Sequence, residues 1–108
     1  MTKNELNEII RSKAREHGFE TSEEQGFHGF TDILSEELNF TYSTAMTENT
    51  DWRAGVLEQT LTITASVRRM GGRPTAEELL QTADEIRRGA GLVLALQKEN
   101  LTWREEIK

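Results

Sequence analysis

The chain has 108 residues, with 19 acidic against 13 basic side chains, a net charge of -6, 35% hydrophobic residues and no cysteine. That length fits a single domain, residues 1–108, with one modest core, and the missing cysteine leaves no disulfide, thiolate metal site or thiol nucleophile in it. The acidic balance argues against direct binding to nucleic acid or anionic lipid, because both carry the same sign.

Met1 to Glu8 lacks the apolar centre of a signal peptide, and no later run reaches the eighteen or so residues of a membrane span, so a cytoplasmic protein without membrane contact is expected. Thr2 and Glu5 have the spacing of a capping box, which satisfies backbone donors at a helix start. The first helix is predicted from about Lys3 to His17, with Leu6, Ile9, Ile10 and Ala14 on one stripe and Gly18 as a left-handed cap. His17 fits as a cation at that helix end.

Glu20 to Gly29 is charged and small, with Gly26 and Gly29 flanking Phe27 and His28, and is expected to be a loop. Phe30, Ile33, Leu34 and Leu38 match a helical stripe, so Thr31 to Leu38 is predicted as one or two helical turns, although a short strand also fits. Asn39 to Thr47 alternates, with Phe40, Tyr42, Thr44 and Met46 on one side. Its partner is Leu57 to Arg68, where Leu57, Gln59, Leu61, Ile63, Ala65 and Val67 face inward and Glu58, Thr60, Thr62, Thr64, Ser66 and Arg68 face outward. A long hairpin tip joins the two strands through Asn49, Asp51, Trp52 and Gly55.

Gly71, Gly72 and Pro74 end the second strand, and Thr75 with Glu78 forms another capping box. The helix that follows is expected to turn Leu79, Leu80, Ala83 and Ile86 to the core and to carry Arg87 and Arg88 at its carboxyl end. Gly89 and Gly91 divide the reading. Either they cap the helix and Leu92 to Leu96 becomes a strand, or the helix continues through them; the alanine and leucine content favours the long helix, and Trp103 lies in an alternating terminal segment. The expected fold is α+β, a small antiparallel sheet built on a long β-hairpin and covered on one face by an N-terminal and a C-terminal helix.

No catalytic, cofactor-binding or metal-binding residue is expected. His17 and His28 have no ligand spacing, the carboxylate pairs Glu23/Glu24, Glu36/Glu37, Glu77/Glu78 and Glu105/Glu106 read as solvated faces, and acidic residues follow Gly71 and Gly72 where a phosphate loop needs lysine. The candidates for interaction are Trp52, as a lid over the sheet edge or an exposed contact, the hydroxyl face Thr60, Thr62 and Thr64, and the basic cluster Arg68, Arg69 and Arg73.

Thr50, Asp51, Trp52 and Gly55 at the hairpin tip, the strand Gln59 to Val67 and the helix Ala76 to Arg88 together resemble the tail-terminator or tail-completion proteins of bacteriophages. The resemblance is one of pattern and spans roughly Phe40 to Arg88. It implies an α+β subunit that self-assembles into rings at the end of a tail tube. Two classes of function follow from the sequence: a non-enzymatic interaction or assembly domain that forms homo-oligomers or binds a protein partner, and a small acidic monomer that regulates or inhibits a nucleic-acid-processing protein by occupying its basic surface.

Overall fold

The computed structural model of the chain describes residues 1–26, 29–68 and 72–107. Two helices and five strands follow one another as α1 (Lys3–Glu16), β1 (Glu20–Gln25), β2 (Thr31–Leu34), β3 (Leu38–Met46), β4 (Val56–Val67), α2 (Ala76–Lys98) and β5 (Thr102–Glu106). β1 and β2 form an antiparallel pair, and β3, β4 and β5 form an antiparallel sheet with β4 in the centre. This is an α+β fold in two small sheets.

The capping box of α1 is present in full, since Thr2 accepts from the Glu5 amide while the Glu5 carboxylate accepts from Thr2. Leu6, Ile10 and Ala14 recur every four residues and are fully buried. Gly18 then adopts a φ of 80°, and Phe19 closes over the end. His17 Nδ1 donates to the Lys13 carbonyl oxygen at 2.9 Å.

Strands replace the loop and the helical turns expected between Glu20 and Leu38. Thr31 and Ile33 are buried while Asp32 and Leu34 are exposed, which is a two-residue period too short to outweigh the accidental helical spacing of Phe30, Ile33, Leu34 and Leu38. Ser35 stops β2, its hydroxyl oxygen accepting from the Leu38 amide at 3.0 Å. β1 carries almost no apolar side chains, and its extended form comes from pairing with β2 through an irregular register between Thr21 and Gln25. Phe27 and His28 lie outside the described residues.

The middle of β4 has the two faces the alternation predicts, Leu61 and Ile63 inward and Thr62 and Thr64 outward, whereas Ala65, expected inward, is exposed. Leu61 and Ile63 are 3% and 2% exposed, Ile63 lies opposite Tyr42, and Trp103 of β5 lies opposite Gln59. Phe30 joins these residues to the smaller sheet, edge-on to Trp103 at 5.3 Å and to Tyr42 at 6.1 Å. Tyr42 donates to the Thr31 carbonyl at 2.6 Å, and its burial pushes the phenol pKa well above its usual value. Val67, expected in the core, is half exposed, because the strand has run past the packed part of the sheet.

α2 continues through both glycines to Lys98 before the chain turns back as β5. Gly89 allows the close approach: a Cβ there would overlap Leu38 Cδ1 and touch the Phe19 ring. The residues α2 turns inward are Thr82, Gly89, Leu92 and Leu96. Leu79, Leu80, Ala83 and Ile86, expected in the core, are instead exposed, and every residue from 76 to 81 is exposed with them. The helix therefore overhangs, and the molecule is elongated. Its extents are 58 × 25 × 24 Å and its radius of gyration 16.3 Å, against about 13 Å for a compact domain of this length.

Arg87 and Arg88 occupy the middle of this helix rather than its end. Arg87 pairs with Asp84 at 2.7 Å, and Arg88 pairs with the same carboxylate at 2.9 Å. The two guanidiniums, Arg87 foremost, hold the Asp84 carboxyl below its usual range. Arg88 also caps a different helix: its Nη1 donates to the Gly18 carbonyl at 2.9 Å while its guanidinium stacks 4.9 Å from the Phe19 ring centre.

Candidate interaction surface

Trp52 sits at the tip of the β3–β4 hairpin and is 64% exposed, so it does not form a lid packed over the sheet edge. The turn around it is held by the Asp51 carboxylate, which accepts from the Arg53 and Ala54 amides, and by Gly55 at a φ of 68°. Arg68 lies beyond the other end of β4, separated from the tip by twelve residues of strand, about 40 Å. Its Nε donates to the Leu38 carbonyl at 3.2 Å. Arg73 is exposed, and Arg69 lies outside the described residues. Trp52 and Arg68 thus do not form one site.

Thr62 and Thr64 project from the outer face, opposite Ser43 and Thr41, and are exposed. Thr60 is different. It is half-buried and its hydroxyl is 2.9 Å from that of Thr102 on β5, so it belongs to the sheet rather than to a free surface.

Glu58 overturns its placement as an outward charge. It is 8% exposed, and its carboxylate accepts from the Thr47 hydroxyl at 2.6 Å, the Arg104 Nε at 2.7 Å and the Asn49 amide nitrogen at 3.1 Å. These hydrogen bonds, that of Thr47 foremost, lower its pKa to about 2. The group clamps the hairpin root to β5. Because the folded-state pKa is depressed, the contribution is present above the usual carboxylate range and is lost as pH falls toward 2. Glu58→Gln is therefore expected to lower the melting temperature at neutral pH and to flatten its fall between about pH 4.5 and 2, measured by circular dichroism.

An uncovered apolar surface lies where the helical spacing of α2 predicts core. Leu79, Ala83, Ile86, Ala90 and Val93 run along the outer side of α2, with Leu80 and Leu94 beside them; Leu80 is 72% and Leu94 59% exposed. The stripe borders a groove whose other wall is the end of β4, where Ala65 and Val67 are exposed, with buried Leu38 beneath. The helical period was the signal for it. What the period lacked was the position of the sheet, which covers the neighbouring stripe instead.

Among the described residues, no group of three histidine, aspartate or glutamate side chains could hold a metal ion, and no helix is long and apolar enough to cross a membrane. Compared with protein families, curated proteins and solved structures, the chain matches none of them.

Proposed function

We propose that the domain is a non-enzymatic interaction or assembly subunit, acting in a cytoplasmic setting through the outer stripe of α2. The observation that carries this reading is the exposure of Leu79, Leu80, Ile86 and Leu94 along one side of a helix whose other side is packed. Covering the remaining half of such a side chain contributes about 1 kcal/mol, which gives association a driving force. Exposed contiguous apolar surface of this kind marks contact sites in folded proteins. The resemblance to tail-completion subunits supports the same class, with a ring as one form of the assembly.

The charge of -6 supports a second reading, a monomer that docks on a basic protein surface. The two differ in their response to salt: apolar association persists as salt rises, whereas charge-steered docking weakens.

Leu80→Lys combined with Ile86→Lys tests the first reading. Both positions are exposed, so the variant is expected to keep its circular-dichroism spectrum and to lose association in light scattering and partner capture. A variant that keeps every association of the native chain would overturn it.

A further inference from the structure

We propose that the occupant of the α2 stripe is the α2 helix of a second copy of this chain, lying antiparallel about a two-fold axis at Ile86. The inference rests on the reading of the domain as an interaction subunit that uses this stripe. Leu79, Ala83, Ile86, Ala90 and Val93 follow one another in alternating steps of four and three residues, the spacing at which one helix packs along another. Read from either end, their order is large, small, large, small, large. In an antiparallel two-fold pair position i faces j and j faces i, so this order sets large side chains against large and small against small. Turned about Ile86, Leu79 meets Val93 of the second copy, Ile86 meets Ile86, and Ala83 falls within one residue of Ala90. The adjoining row repeats the symmetry, with Leu80 against Leu94 and Arg87 near the axis.

Charge selects the antiparallel direction. Glu77 and Glu78 lie in the first turn of α2 and Lys98 in its last turn, so antiparallel helices bring unlike ends together, whereas parallel helices set the two acidic turns side by side. Arg87 reaches the axis already paired with Asp84, which limits repulsion between the two guanidiniums. Leu79, Leu80, Ile86 and Leu94 are 53%, 72%, 40% and 59% exposed, and a second copy laid along the stripe covers this apolar surface.

The cysteine-free chain allows a direct test by single-cysteine variants at exposed or half-buried positions under mild oxidation. Ile86→Cys is expected to form a covalent dimer alone, about tenfold or more faster than the exposed control Thr62→Cys, because pairing raises the local thiol concentration. Leu79→Cys and Val93→Cys are expected to cross-link poorly alone and readily when mixed. Leu79→Cys dimerising alone as fast as Ile86→Cys would indicate parallel helices and overturn the proposal, and so would Ile86→Cys matching the control. A monomeric native mass at every concentration, with no cross-link, overturns it too. In that event the broader reading survives if Leu80→Lys with Ile86→Lys still abolishes capture of a different protein, and falls if it does not.

Discussion

Ile63→Asp is expected to leave the chain unfolded at room temperature, while Thr62→Asp, one residue earlier on β4, keeps a cooperative melt within about 8 °C of the native chain. The difference is one of face. Ile63 is 2% exposed and belongs to the cluster formed with Leu61, Leu96 and Trp103. Replacing it forfeits about 1.5 to 3 kcal/mol of apolar burial and places a carboxylate where water cannot reach it, at a further cost of several kcal/mol. Those two losses together consume most of the 5 to 15 kcal/mol by which a domain is ordinarily stable. Thr62 projects outward opposite Ser43, where the cost is at most the spread of strand preferences, about 1 kcal/mol. Melting followed by circular dichroism checks both. Equal melts would mean that the face assignment of β4 is wrong.

That assignment was legible from Leu61 to Thr64, where a shift of one residue would turn Leu61 and Ile63 to solvent, but it fails at Glu58, which is buried, and at Ala65 and Val67, which are exposed. α1 was legible too, because the cap, the four-residue stripe and Gly18 all agree. β1 and β2 were not legible. Four residues of alternation in β2 compete with a helical spacing that reaches to Leu38, and β1 has no apolar face at all, so its conformation is decided by a partner that sequence order does not identify.

The candidate surface was half legible. Its residues were recognised as one stripe of a helix, and the error lay in which stripe the sheet would cover. Gly89 decides that: with no side chain there, α2 comes close to Leu38 and Phe19 on the side of Thr82, Leu92 and Leu96, and the row through Leu79 and Ile86 is turned away. In the sequence Gly89 reads as either a helix stop or a tolerated residue of the favoured long helix, and neither reading contains its role of setting how the helix sits. The burial of Glu58, read in the sequence as an outward charge, has a related cause, since its partners Thr47, Asn49 and Arg104 come together only once the hairpin and β5 are in register.

Asn7→Leu is the second substitution expected to have a large effect, and it looks harmless in the sequence, where it exchanges a polar residue beside the apolar stripe of α1 for a better helix former. Asn7 is fully buried. Its Oδ1 accepts from the Thr31 amide at 2.9 Å and its Nδ2 donates to the Gly29 carbonyl at 3.0 Å, so one side chain ties the start of β2 to α1. Leucine has the same branched outline with two bulkier methyl groups, but it leaves that buried amide without its partner, which costs about 1 to 3 kcal/mol, and it leaves the carbonyl short of a donor as well. The gain in helix preference, at most about 0.7 kcal/mol, does not offset this. We expect a loss of about 2 to 4 kcal/mol in urea unfolding, with hydrogen exchange at the Thr31 amide accelerated beyond that of the β3–β4 amides. A variant as stable as the native chain, with the Thr31 amide still protected, would show that these two hydrogen bonds do not hold β2 in place.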